Sequence, residues 1–140
     1  MRILAIDYGR TRFGLAMSDE DEILASPLPV HTCRRTRHAD LAYIRSLARR
    51  QGIGAIVVGH PLNMNGSAGE MAQEAEAFAR ELAESTGLSV VLVDERGTTQ
   101  EANRVLREGR VAGKRRRDLR DGLAAVQILQ SHLDQRRTRD

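Results

Sequence analysis

Near residue 38 the apolar period of this chain switches from that of strands to that of helices, and this limits the folds open to it. Before that point Ile3-Leu4-Ala5-Ile6 and the run from Phe13 to Ala16 are short apolar segments of strand length, with Gly9 between them where a chain can reverse. Strand one is expected over about 2–7, strand two over about 13–19 and strand three over about 23–32, with Asp19-Glu20-Asp21-Glu22 as a hairpin tip. Pro27 and Pro29 make strand three an edge strand or a bulged one. Short links make these three strands antiparallel neighbours.

After the switch, Leu41, Ile44, Leu47 and Ala48 recur at helical spacing over about 38–51, and Gly52 closes that helix. Ala55-Ile56-Val57-Val58 is a buried strand, followed by a polar, Gly-rich loop from His60 to Gly69. A helix over about 68–86 carries Ala75, Phe78, Ala79 and Leu82 on one face, and Ser89 to Asp94 is a fifth strand. A helix over about 99–108, a basic loop from Gly109 to Arg117 and a last helix from about Asp118 to Gln135 complete the chain. The order β-β-β-α-β-α-β-α-α predicts an α/β fold: a mixed five-stranded sheet, three antiparallel strands first and then parallel βαβα units with right-handed crossovers, flanked by helices. Strands one and four or five are expected at its centre. The whole suits a single domain over 1–135, with a basic C-terminal tail at 136–140.

Composition narrows the function classes. Lys and Arg total 22 against 19 Asp and Glu, and all the cations except Lys114 are Arg. They cluster at Arg34, Arg35 and Arg37, at Lys114 to Arg117 with Arg120, and at Arg136, Arg137 and Arg139. Guanidinium groups hold phosphate bidentately, so a polyanionic partner fits, although solvated surface charge in an Arg-biased sequence reads the same way. One cysteine and four scattered histidines exclude an internal disulfide and give no zinc-type spacing. No apolar stretch spans a bilayer and the first residues enter a strand, so the expectation is a cytoplasmic protein with no membrane partner. With 3% aromatics it is not a stacking-platform binder.

Three acidic places stand out by position. Asp7 ends strand one, Asp94 and Glu95 end the fifth strand, and Asp118 and Asp121 open the last helix, three apart and on one face. Converging carboxylates repel unless cations neutralise them, and hard divalent ions such as Mg²⁺ do so. Such ions activate water against a phosphodiester. Each acid also has a local reading: Asp7 as a turn cap, Asp94 and Glu95 as partners of Arg96, Asp118 as a helix N-cap, and Asp121 as a charge suited to the helix dipole. The small residues Gly122, Ala124 and Ala125 beside Asp121 favour a close approach to the sheet and an inward Asp121. In the loop after strand four, Gly59, Asn63, Asn65, Gly66 and Ser67 suit a phosphate before a helix N-terminus, or form an ordinary connection with Ser67 as cap. It lacks the Gly-Lys-Ser/Thr ending of a nucleotide loop, so ATP is not indicated. Thr98 and Thr99 could touch substrate or cap their helix, and Tyr8 could stack on a base or pack on the sheet.

Four segments, Ile6 to Ala16, Val58 to Ser67, Asp94 to Thr99 and Asp121 to Gln130, resemble in order and together the YqgF (RuvX) family. The resemblance implies an RNase H-like fold related to the Holliday-junction resolvase RuvC, and a bacterial cytoplasmic nuclease processing the 5′ end of pre-16S rRNA in ribosome maturation. By motif position Asp7, Glu95 and Asp121 match the family's acidic, metal-binding triad, with Asp94 and Asp118 as alternates. Strand alternation lets only one of Asp94 and Glu95 face the metals, and Glu95 is the choice. Against the family pattern His60 replaces a common Leu, Asn65 a common Asp and Gly97 a common Leu.

The leading expectation is a Mg²⁺- or Mn²⁺-dependent endonuclease on RNA. Asp7 would bridge the metals, and Arg12, Asn63, Ser67, Thr98 and Lys114, Arg115, Arg116 and Arg117 would bind the nucleic acid. Resolution of four-way DNA junctions, normally by a dimer, and a non-catalytic nucleic-acid-binding role are the alternatives, with the chain a monomer or a homodimer.

Overall fold

The structure is a computed structural model describing residues 1–95 and the backbone of 113–139, with side chains from 122 to 137 in the latter segment. The helix expected at about 99–108, together with Thr98 and Thr99, lies outside the described residues.

Five strands, β1 (Arg2–Asp7), β2 (Arg12–Ser18), β3 (Ala25–Thr32), β4 (Ile53–His60) and β5 (Ser89–Asp94), form one sheet in the order β3-β2-β1-β4-β5. β1 pairs antiparallel with β2 and β2 with β3, while β1–β4 and β4–β5 are parallel. The mixed sheet is therefore as expected. β1 is central, whereas β5 has a neighbour on one side only among the described residues, so of the two candidates for a second inner strand it is β4 that lies inside.

The apolar pattern explains the layering. Ile3, Leu4, Ala5 and Ile6 are all fully buried, because both faces of β1 are covered and its run has no polar alternation to show. Leu4 and Ile6 join Phe13, Leu15, Ile56 and Val58 under α1 (Arg37–Gln51) and α2 (Glu70–Thr86), which contribute Ile44, Phe78 and Leu82. Ile3 and Ala5 join Ala16, Val57 and Val93 on the opposite face, under Ala125, Ile128, Leu129 and Leu133 of α3 (Gly113–Arg139). β3 is the edge that its prolines predict, with a register irregularity against Phe13 and Leu15.

Thr36 caps α1 by accepting from the Ala39 N–H at 3.1 Å, and Gly52 ends it at φ +66°, a conformation that favours glycine. α2 begins later than expected, at Glu70 with Gly69 as its cap, so Ser67 does not cap it. α3 corrects the basic loop expected up to Arg117. Its helix begins at Gly113, so Lys114, Arg115, Arg116 and Arg117 are helical; a run of charges carries no apolar period to announce a helix, yet Arg and Lys are good helix formers.

α3 descends along β3. Gly122 stands opposite Pro27, Gln130 accepts from the Ala25 N–H at 3.0 Å and donates to the Ile23 carbonyl at 2.9 Å, and Arg136 reaches Glu22 at 2.8 Å. The amino end of α3 therefore lies toward the rim where β1, β4 and β5 end.

Candidate functional site

That rim is where parallel strands deliver their last residues. Alternation places Asp7 on the α3 face of the sheet with Ile3 and Ala5, and puts Tyr8 on the other. Tyr8 is 8% exposed, packs between Phe13 and Phe78 at centroid distances of 5.6 and 5.0 Å, and accepts a 2.8 Å hydrogen bond from Arg37. Of its two readings, sheet packing is the one observed.

Glu95 follows β5 and shares the parity of Val93, the α3 face, whereas Asp94 shares that of Val90 and Leu92. The Glu95 backbone N–H donates to the His60 carbonyl at 3.3 Å, extending the β4–β5 ladder past the Asp94–His60 pair. Its carboxyl group folds over Gly59, where a Cβ would overlap Glu95 Oε1 and stand 2.6 Å from Ile128 Cδ1. The absence of a side chain at 59 is what admits Glu95 to the rim.

The Glu95 carboxyl is hydrogen-bonded to that of Asp7. Its proton affinity is raised, first by burial and further by the charge of Asp94, against the opposing effects of the Asp7 hydrogen bond and of His60. His60 sits on the α2 side and its Nε2 is 3.0 Å from Glu76 Oε2. A two-residue carboxylate pair is thus assembled across β4, from the end of the central strand β1 and the residue after β5, with a histidine–glutamate pair beside it. The sequence marked His60 only as a departure from a family pattern; its partner lies one helix away, a separation that no local spacing reveals.

The remaining expected residues fall into three groups. Arg12 begins β2 and by alternation shares the face of Gly14, which pairs with Asp7. Asn63 and Ser67 spend their side chains within their own loop: Asn63 Nδ2 donates to Ser67 Oγ at 3.0 Å, and Ser67 Oγ donates to Asn65 Oδ1 at 2.6 Å. Asp118 and Asp121 lie in α3, with position 121 one turn before the buried Ala125; their side chains, like those of Lys114 to Arg117, are outside the described residues. Among the described residues no helix is long and apolar enough to cross a membrane.

Comparison with known proteins gives the family. A family model described as "RuvX: Holliday junction resolvase" matches residues 1–135. A protein of Anaeromyxobacter sp. (strain Fw109-5), named "Putative pre-16S rRNA nuclease", is 48% identical over 136 residues, 97% of this chain and 98% of that one. One of the same name from Moorella thermoacetica is 46% identical over 134 residues, 96% of this chain and 95% of its own. In fold, the chain is similar to Thermus thermophilus RuvC, with a TM-score of 0.59 at 16% identity, covering 99% of this chain and 97% of that one. It is similar also to the fowlpox virus Holliday junction resolvase, with a TM-score of 0.58 at 11% identity over 96% and 99% of the two chains. With a family match over nearly its whole length and relatives approaching half identity, the chain belongs to the RuvX family of nucleases.

Proposed function

We propose that this chain is a divalent-metal-dependent endonuclease of the cytoplasm that hydrolyses RNA, processing the 5′ end of pre-16S rRNA. The observation that carries the reading is the contact between Asp7 and Glu95. Two acids from distant segments are held against each other, and one of them is desolvated enough to bind its proton more tightly than usual. Such an arrangement is costly for a fold and gains nothing structural; a cation between the two acids would remove the cost. The donor set is all oxygen, which suits Mg²⁺ or Mn²⁺.

Asp7 and Glu95 would hold the ion, with Asp121 completing the set from α3 and Asp94 and Asp118 as neighbours of lesser weight. When bound, the metal supplies Lewis acidity to activate a water and to stabilise the leaving oxygen of a phosphodiester. The chain's own residues do the rest. Gly59 clears the space for Glu95, and the His60 carbonyl fixes its backbone. Arg12, on the same face, would neutralise a substrate phosphate, and Lys114, Arg115, Arg116 and Arg117 on the first turns of α3 would draw the strand in. Asn63 and Ser67 would contribute through the loop shape that their mutual hydrogen bonds set, and Thr98 would contact the nucleic acid.

The test is a cleavage panel with Mn²⁺ on a pre-16S rRNA leader, single-stranded DNA and four-way junction DNA. Wild type should cut the leader, and Asp7→Asn should lose about 10²–10³-fold or more, the scale of removing one group that stabilises developing charge. Equal cleavage by the variant would overturn the assignment. The family's description favours a second reading, junction resolution, and preferential cleavage of the junction arm would establish it instead.

A further inference from the structure

The Arg34-Arg35-Thr36-Arg37 segment, between β3 and α1, plays no part in the site above, yet it stands on the same rim. β3 runs antiparallel to β2 and ends beside the start of β2, with Thr32 paired to Arg12. The Cys33 N–H donates to the Thr11 carbonyl at 2.8 Å, so the segment is tied to the turn that follows Asp7. Two strand spacings, about 10 Å, separate β1 from β3, with Arg12 between.

The segment is held unusually firmly for a surface connection. Buried Asp40 accepts from the Arg34 backbone N–H and pairs with His31 Nε2, both at 2.8 Å. His31 stacks on Tyr43 at 4.2 Å and 15°, and the Arg34 guanidinium lies over the other partner of that stack, 5.6 Å from the Tyr43 centroid. Arg34 is thus fixed at its backbone and steadied at its head, while its side chain remains exposed. Arg35 is exposed, with no hydrogen-bond or ion-pair partner among the described residues. Arg37 differs: it donates to Tyr8 Oη at 2.8 Å and faces Glu81 at 3.6 Å, so it anchors the segment. Asp40 is buried under the segment and already engaged, and Glu81 is taken up by Arg37.

The geometry points to Arg34 and Arg35 as a preorganised phosphate-binding arm, which takes the phosphodiester backbone of the nucleic-acid strand a few nucleotides from the bond at Asp7. This rests on the nuclease reading for what lies at Asp7, not for the arm itself. Arg34, whose ordering cost is largely met by the fold, binds a polyanion better than a free surface arginine does, and Arg35 adds a second cation beside it. Contact through phosphate makes the arm indifferent to base and sugar.

The experiment measures binding of labelled single-stranded RNA by anisotropy, in EDTA, across a salt series. Relative to wild type, Arg34→Ala/Arg35→Ala should weaken affinity roughly tenfold at low salt and reduce the magnitude of the slope of log K against log salt by about 1.4, the value for two lost phosphate contacts on a single strand. Arg34→Lys/Arg35→Lys should restore the slope. The control is Arg49→Ala/Arg50→Ala, which removes the same charge from the last turn of α1, just before the start of β4 and so at the end of the strands opposite the rim. Equal losses in the two Ala pairs, or no loss in the first, would overturn the arm. The same loss on single-stranded DNA supports a phosphate contact; a loss confined to RNA contradicts it. If wild type cuts no substrate with any divalent ion while the arm variants still lose binding, the nuclease reading fails and the arm stands. If wild type cuts RNA and the variants bind as it does, the arm fails alone.

Discussion

Two carboxylates, the buried Asp40 and the half-buried Glu95, are treated oppositely by this fold. Asp40 accepts from the Arg34 N–H and meets His31 Nε2, donors that satisfy its charge where water cannot reach. Glu95 lies over Gly59 and shares its hydrogen bond with another acid, Asp7, with Asp94 adding further negative charge. The first acid is placed where its partners complete it; the second is placed where burial and the charge of Asp94 outweigh the help it gets from Asp7 and His60 and make it harder to ionise. A carboxylate of the first kind contributes stability, and one of the second kind costs it. The contrast separates an acid retained for the fold from one retained for chemistry, and each half of it can be broken by substitution.

The largest expected effect is on the Asp40 side. Asp40→Ala leaves the His31 ring and the Arg34 N–H without their acceptor in a buried place, and should cost roughly 2–5 kcal/mol, because each orphaned donor costs about 1–3 kcal/mol. Denaturant unfolding of the variant measures it, and Asp40→Asn, which retains an acceptor oxygen, should lose less. A loss below about 1 kcal/mol in Asp40→Ala would show that this carboxylate is not the structural one.

The counterpart on the Glu95 side is Gly59→Ala. Its Cβ would overlap Glu95 Oε1 and crowd Ile128 Cδ1, so the carboxylate must leave its place beside Asp7. Cleavage should fall by about 10²–10³-fold with the unfolding transition still cooperative, since the displaced carboxylate is at the rim and the crowding of the apolar layer is confined to the Ile128 methyl. Retained activity in a folded Gly59→Ala protein would mean that the Asp7–Glu95 contact is dispensable.

The two acids were also unequally legible. Asp7 announces itself in the sequence, because an acid that closes a continuous apolar run must lie at the end of a strand buried on both faces. Alternation says only that one of Asp94 and Glu95 faces the site; the choice of Glu95 rests on the family resemblance, and in the structure Glu95 has the parity of Val93. Asp40 gives no such sign: it sits in the first turn of α1, where an exposed acid is ordinary, and its partner His31 belongs to a strand whose alternation the prolines obscure. The pairing of His60 with Glu76 is hidden for the same reason, being a contact between elements. The start of α3 was missed because the residues from Lys114 to Arg117 have no apolar period, although the helix itself needs only their propensity.

A smaller effect tests the segment that Asp40 organises. Thr36 Oγ accepts from the Ala39 N–H and is the cap of α1. Thr36→Ala should cost about 1 kcal/mol, a Tm decrease of roughly 2–4 °C in a chain of this size, with cleavage unchanged. A decrease as large as that of Asp40→Ala would assign the firmness of this segment to the cap instead of to the buried acid.

The smallest effect, and the one that most sharply separates the two acids, is the pH dependence of Glu95. Its folded-state proton affinity lies above that of an ordinary Glu at 4.5, so the proton is favoured by folding. Below that ordinary value Glu95 is protonated whether folded or not, and its burial carries no penalty. As pH rises through the raised folded value, the folded protein must ionise a desolvated carboxyl beside Asp7 and Asp94, and stability is lost. Glu95→Gln removes that ionisation while keeping a similar shape. The variant should therefore melt above wild type at pH 7, and the difference should close as pH falls toward the ordinary carboxylate range. Mg²⁺ should raise the Tm of wild type and leave that of Glu95→Gln nearly unmoved, since an ion that binds the folded state stabilises it only where its ligands remain. A variant that melts below wild type at pH 7 would place Glu95 with Asp40, among the acids the fold needs.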